Sequence, residues 1–249
     1  MRLNGNVILL TGGTSGLGRN LLSALYNLGN QIITISRTNQ DLENLKRDFP
    51  GIHVFQCDVG DRNELLALKA YCLENGLAVN WLINNAGIEY NYIIDGEKSE
   101  RICEEINTNL TGPLTLVSLF VDELKKSENS AVINITSGLA IFPKVNAAVY
   151  AASKAGLHQF TRSLRLQLKR TSVCVFEVLP PLMDTPLTSE SSFKKMSSEK
   201  CVIDILRGLE KNNFEIRIGV VKWMYWLYRI NPELGDYLMY KRYLSANKR

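Results

Sequence analysis

Short apolar runs alternate with segments of helical period along the first two-thirds of the chain. Val7–Leu10, Ile32–Ile35, Val54–Cys57, Trp81–Ile83, Ala131–Ile135, Val173–Val178 and a weaker Ile216–Ile218 read as strands. Most are nearly continuous in apolar residues, as expected of strands covered on both faces. Between them, Leu17, Leu21, Ala24, Leu25 and Leu28 fall on one helical face. Leu42, Leu45 and Phe49 form a second such stripe, and Leu157, Phe160, Thr161, Leu164 and Leu168 a third. The rhythm predicts βαβ units and an α/β fold: a parallel seven-stranded sheet, doubly wound, with helices on both faces in three layers. No internal repeat or linker interrupts it, so residues 1–249 are expected to form one domain.

Two stretches depart from this rhythm. Residues 186–200 are polar and serine-rich and follow Pro180-Pro181 at the end of an expected strand. Such a composition buries little and predicts a mobile loop over a ligand site. The tail, residues 220–249, mixes Trp, Tyr, Lys and Arg and is expected to be helical.

Composition narrows the function classes. The net charge of +4 is mild and, read along the whole chain, gives no concentrated face for nucleic acid. Five cysteines form no C-x-x-C pair, and only His53 and His158 accompany them, so no metal site is expected. Free thiols in apolar or mixed segments suit a reducing cytoplasm. Only four consecutive apolar residues follow the N-terminal segment, too few for a secretory signal, and Lys222 and Arg229 interrupt the apolar stretch of the tail. A soluble protein is expected.

Gly12, Gly16 and Gly18 follow the first strand directly and open the first helix. Glycine there lets the backbone turn sharply and approach a pyrophosphate, whose charge the helix N-terminus then holds. The end of the second strand selects the dinucleotide. An acid there would bond the ribose hydroxyls of NAD, but this chain has Ser36-Arg37-Thr38-Asn39 and no acid before Asp41. Arg37 offers a planar fork for a 2′-phosphate, with Ser36 and Thr38 adding hydroxyls, which favours NADP(H) over NAD(H).

Tyr150 and Lys154 stand four apart, on one face of an expected helix. A free phenol is a poor proton carrier at neutral pH, and a nearby ammonium is expected to lower its pKa toward the working range. Ser137 ends the run from Val132, at a strand tip where its hydroxyl could bond a substrate carbonyl.

Taken together these motifs resemble the single-domain short-chain dehydrogenases/reductases. The resemblance rests on Thr11-Gly-Gly-Thr-Ser-Gly-Leu-Gly18, Asn84-Asn85-Ala86-Gly87, Asn109-Leu110-Thr111-Gly112, Ser137 and Tyr150-Ala-Ala-Ser-Lys154, and spans about Val7 to Thr188. It implies a Rossmann-type fold and hydride transfer between a nicotinamide and a small-molecule carbonyl or secondary alcohol. Tyr150 would be the general acid/base, Lys154 would hold the nicotinamide ribose and tune Tyr150, and Ser137 would orient the substrate. Asn109 would hold a water linking Lys154 to solvent. The cofactor contacts implied are Gly12, Thr14, Ser15, Gly16, Leu17 and Gly18 in the loop, then Ser36, Arg37, Asp58, Val59, Asn84, Ala86, Gly87, Pro180 and Thr185. The sequence departs from the family where Pro-Gly is usual and Pro180-Pro181 stands instead. The segment from Leu179 to Thr188 and the tail around Arg229-Ile-Asn-Pro232 are similar to the DltE-type subgroup. A homodimer or homotetramer is implied by the family alone.

Two other readings stay open: an epimerase or dehydratase on the same fold, and a cofactor-binding scaffold or redox sensor without turnover. His158 is read as a packed rather than a catalytic residue. For the tail, packing or subunit contact comes first, pocket lining second and membrane contact last.

Overall fold

The computed structural model describes residues 1–94, 99–183 and 195–246. In chain order the elements are β1 Val7–Thr11, α1 Gly16–Asn27, β2 Gln31–Ser36, α2 Asn39–Asp48, β3 His53–Gln56, α3 Arg62–Glu74, β4 Trp81–Asn84 and α4 Ser99–Ile106. There follow α5 Gly112–Leu124, β5 Ser130–Ile135, α6 Ala148–Gln167, β6 Val173–Leu179, α7 Ser198–Glu210, β7 Glu215–Arg217, α8 Val221–Ile230 and α9 Pro232–Ala246. All strand pairs are parallel, in the order β3-β2-β1-β4-β5-β6-β7. The architecture is the expected Rossmann-type three-layer sheet. Its chain order reverses between β1 and β4, which opens a crevice at the strands' C-terminal ends.

Although the strands are apolar throughout, their side chains still alternate by face. Ile8, Leu10, Trp81, Ile83, Ile133 and Phe176 pack in one core with α1 and α7. Leu9, Leu82, Val132 and Val175 pack in the other with α3, α5 and the C-terminal end of α6. Leu28, counted above in the first helical stripe, lies past the last turn of α1 and is exposed.

Local signals place the ends of the helices. Asp61 caps α3, accepting from Asn63 N at 2.7 Å and Glu64 N at 3.2 Å. Ser197 caps α7, accepting from Lys200 N. Residues 198–200, expected in the mobile loop, are therefore the first turn of α7, while 184–194 lie outside the described residues. Between α4 and α5 the helix widens into a π turn, Asn107–Thr111. Pro113 has no N–H to return to the Asn109 carbonyl, and the Gly112 N–H reaches Asn107 instead.

At the strands' N-terminal ends, four asparagines tie neighbouring segments together. The Asn30 Oδ1 accepts from Asn6 N at 2.9 Å, and Val7 N donates to the Asn80 Oδ1 at 2.7 Å. Asn129 Nδ2 donates to the Asn6 Oδ1 at 2.7 Å, and Asn80 Nδ2 to the Asn129 carbonyl at 2.9 Å.

Candidate active site

The crevice is a single cleft of about 1030 Å³ running across the C-terminal ends of β1 to β6. Its floor begins at the glycine loop. Gly12 has φ +68° and Gly16 φ +51°, conformations other residues rarely adopt. A Cβ on Gly12 would come within 2.9 Å of the Ala86 Cα, and one on Gly18 would collide with the Gly12 carbonyl oxygen. Ser15 is the N-cap of α1, yet its side chain makes no capping bond, and the first turn holds no acid. The N-terminal amides of α1 thus meet the cleft without a protein acceptor from the cap, an arrangement that suits a phosphate.

Asn85 fixes this loop to the one after β4. Its Nδ2 donates to the Thr11 and Gly12 carbonyls, both at 3.0 Å, and Thr11 Oγ1 accepts from Asn85 N and Ala86 N. The expectation for Asn84 is corrected here. Asn84 is buried and does not line the cleft; its Nδ2 donates to the Asn134 Oδ1 at 2.8 Å, and Asn134 donates to Thr161 on α6. By strand parity Asn84 shares the face of Leu82, toward α6, and Asn85 is the residue that turns to the loop.

Gly12, Thr14, Ser15, Gly16, Leu17 and Gly18 all line the cleft. Ser36, Arg37, Asp58 and Val59 line it beyond β2 and β3, Ala86 and Gly87 beyond β4, and Pro180 beyond β6. Thr185 lies outside the described residues. The Arg37 guanidinium pairs with Glu104 at 3.2 Å, and Glu104 also accepts the Tyr90 hydroxyl at 2.6 Å. This pair is more than a third exposed on both sides, so it is labile.

Ser137, Tyr150 and Lys154 meet at the far end. Ser137 follows β5 and caps a short 3₁₀ turn, and its hydroxyl faces the Tyr150 phenol and favours its ionised form. Tyr150 and Lys154 lie one turn apart on α6 and are both buried. Lys154 Nζ donates to the Ile135 carbonyl at 3.0 Å and lies 5.8 Å from the centre of the Tyr150 ring. Burial pulls Lys154 down to about 8, opposed by the Glu89 carboxylate. Burial pushes the Tyr150 phenol up, and Glu89 pushes the same way, against the Ser137 hydroxyl. The sequence led us to expect the reverse for Tyr150. Desolvation sets the direction, and Lys154 Nζ is bonded to the β5 carbonyl rather than to the phenol.

Asn109 sits behind this group in the π turn, fully buried and outside the cleft wall. Its Oδ1 accepts from Ile88 N at 2.9 Å, and its Nδ2 donates to the Ile88 carbonyl at 2.8 Å and to Ser153 Oγ at 3.2 Å. A Cβ on Gly87 would lie 3.1 Å from the Asn109 Oδ1 and 3.4 Å from Lys154 Nζ, so glycine is what lets these groups close up.

Two side-chain pairs escaped the sequence reading, whereas pocket lining by the tail, the second expectation for it, is found. Glu89 acts on Tyr150 and Lys154 with its side chain only 7% exposed and pairs with Lys144, which also bonds Asn91 at 2.6 Å. Glu177, fully buried in β6, accepts from the Thr136 hydroxyl at 2.7 Å and pairs with His158 Nδ1 at 2.8 Å. Met224, Met239, Arg242 and Tyr243 of the tail line the cleft, beside Met183 and Met196. No cluster of His, Cys, Asp and Glu able to hold a metal occurs among the described residues.

Fold and cleft define a dinucleotide-type α/β protein with a tyrosine–lysine–serine group at the far end of the cleft. The sequence profile described as short chain dehydrogenase matches residues 6–195, and the chain belongs to that family of NAD(P)-dependent oxidoreductases. It is 39% identical to the uncharacterized oxidoreductase DltE of Bacillus subtilis over 226 residues, 87% of this chain and 89% of that protein. It superposes on a short chain dehydrogenase from Burkholderia cenocepacia in complex with NADP, with a TM-score of 0.86 and 25% identity, covering 96% of this chain and 99% of that one. A short chain dehydrogenase/reductase from Burkholderia phymatum in complex with NAD has the same fold, at a TM-score of 0.84 and 17% identity, covering 94% and 96%.

Proposed function

We propose that the protein is an NADP(H)-dependent oxidoreductase that moves hydride between the nicotinamide and a small carbonyl or secondary alcohol, with Tyr150 as the general acid/base. One observation carries the reading. Ser137, Tyr150 and Lys154 line the same cleft as the uncapped N-terminus of α1. The cradle fits a dinucleotide, because the space that side chains on Gly12 and Gly18 would fill is held open. When bound, the nicotinamide supplies or accepts the hydride.

The chain's own residues do the rest. The Ser137 hydroxyl orients the substrate oxygen beside the phenol. Tyr150 gives its proton to that oxygen in reduction and takes it back in oxidation. Lys154, with a pKa near 8, titrates close enough to neutral pH to resupply the proton. Asn109 holds the Ile88 backbone and Ser153 in place and so fixes the wall that Lys154 lies against. Arg37 supports the choice of NADP(H), since a 2′-phosphate would compete with Glu104 for an exposed guanidinium.

A panel of aldehydes and ketones, followed at the NADPH absorbance band with NADH in parallel, tests this. Tyr150→Phe should bind NADPH as the parent does while turnover falls by about 10²- to 10⁴-fold. Turnover within a few-fold of the parent would reject the role. Arg37→Ala should weaken NADPH by about tenfold to a hundredfold and leave NADH unchanged. Equal losses for both cofactors would reject Arg37 as the phosphate ligand.

A further inference from the structure

Helices α8 and α9 are apolar on two opposite faces. On the inner face of α8, Val221 is buried, Met224 lines the cleft, and Tyr228 packs against Phe142 with ring centres 5.6 Å apart. The opposite face carries Trp223, Trp226 and Ile230, which are 79%, 57% and 81% exposed. Their spacing of three and four residues puts them in one stripe. The same division recurs in α9. Gly235 meets the Tyr228 ring, Met239 lines the cleft, and Leu234, Tyr237, Leu238 and Leu244 are exposed on the other side. A helix with a second apolar face needs a second apolar contact besides the body it packs on. Here one side already has its protein, and the other meets solvent.

Charge selects the second partner. Residues 221–249 hold six basic and two acidic residues, a net +4. That equals the net charge of the whole chain, so everything before α8 is neutral in sum. Pairing this face with a second copy would bring two such excesses together. An anionic bilayer surface attracts it and accepts Trp and Tyr at the headgroup level. Lys222, Arg229 and Lys241 are exposed within or beside the apolar stripes, where their stems can lie along the lipid with the charge in the headgroups. No helix among the described residues is long and apolar enough to cross a membrane, so the contact is with the surface only.

We propose that the outer faces of α8 and α9 dock on an anionic lipid bilayer, which sets the Met224 and Met239 end of the cleft at the membrane. The cleft would then take its substrate from the lipid phase. The docking itself does not depend on the reaction proposed above, and its test needs no turnover.

The test uses the full chain and vesicles of phosphatidylcholine alone or mixed equally with phosphatidylglycerol. Flotation should carry the protein up with the mixed vesicles at least tenfold better than with phosphatidylcholine, and 0.5 M salt should reduce it. Of the three tryptophans, Trp81 is fully buried, so brominated lipid should quench the emission of Trp223 and Trp226 alone. Lys222→Glu with Lys241→Glu should cut binding by about fivefold per charge removed, or more. Trp223→Ser with Trp226→Ser should abolish it, and both variants, altered only at exposed positions, should keep the parent's melting temperature. No flotation on the anionic vesicles overturns the proposal, as does binding that neither variant weakens. A stable dimer that Trp223→Ser with Trp226→Ser splits into monomers also overturns it, since the face would then be a subunit contact.

Discussion

The buried pair between Glu177 and His158 allows a prediction of unusual order. Glu177→Ala removes a carboxylate that bonds two groups, the Thr136 hydroxyl and His158, but only one of them is stranded. The Thr136 hydroxyl keeps the Val178 carbonyl at 3.0 Å, and Arg165, which the carboxylate acts on only through its charge, keeps the Val175 and Phe214 carbonyls at 2.8 and 2.9 Å. His158 loses its partner, at about 1–3 kcal/mol for an orphaned polar group. The small cavity adds about 1 kcal/mol. His158→Ala leaves the more costly remnant, a fully buried carboxylate bonded by its side chain to Thr136 alone, at about 3–5 kcal/mol. The histidine should therefore matter more than the acid, although it is the less buried of the two. Urea unfolding reads this directly. With a slope of about 3 kcal/mol/M, His158→Ala should lower the midpoint by about 1–1.5 M and Glu177→Ala by less. The double variant should be less damaged than the two losses added together, by more than about 1 kcal/mol. Additivity to within about 0.5 kcal/mol would refute the pairing, and so would a midpoint for His158→Ala equal to the parent's.

Two further outcomes follow from the site. Lys154 has a folded pKa near 8 against 10.5 for the free side chain, so between those values the unfolded chain holds more protons. The parent without cofactor should thus gain stability as pH rises from 8 toward 10.5, by up to about 3 kcal/mol relative to Lys154→Met, and be the less stable of the two at pH 7; a pH-independent gap in denaturation midpoint would contradict this. Glu89 raises both Tyr150 and Lys154, so on the proposed function Glu89→Gln should move the pH profile of kcat/KM to lower pH, and an unmoved profile would show that the carboxylate does not reach these two groups.

Much of this was legible because strands and helices announce themselves by period. Val7, Ile32, Trp81, Ala131 and Val173 begin apolar runs that became β1, β2, β4, β5 and β6 with ends displaced by at most one residue. The glycine loop, Tyr150 and Lys154 could be read because their spacing is local. What failed was whatever depends on facing or on distance in sequence. Asn84 and Asn85 are chemically alike, and only the parity of β4 against β5 decides which one turns inward. Glu177 is a lone acid in an apolar strand, and its partner lies 19 residues away on another element. Glu89 and Lys144 come from two irregular segments 55 residues apart, where no period exists to place them. The direction of the Tyr150 shift was misjudged because spacing reveals proximity but not depth, and burial sets it.

The four asparagines at the strands' N-terminal ends limit how this enzyme can move. Each amide there uses both its oxygen and its nitrogen, so the β1, β2, β4 and β5 entries are set at a fixed pitch. A sheet pinned along that margin cannot part like two halves of a shell. To admit or release a molecule it must bend its opposite fringe, one loop at a time.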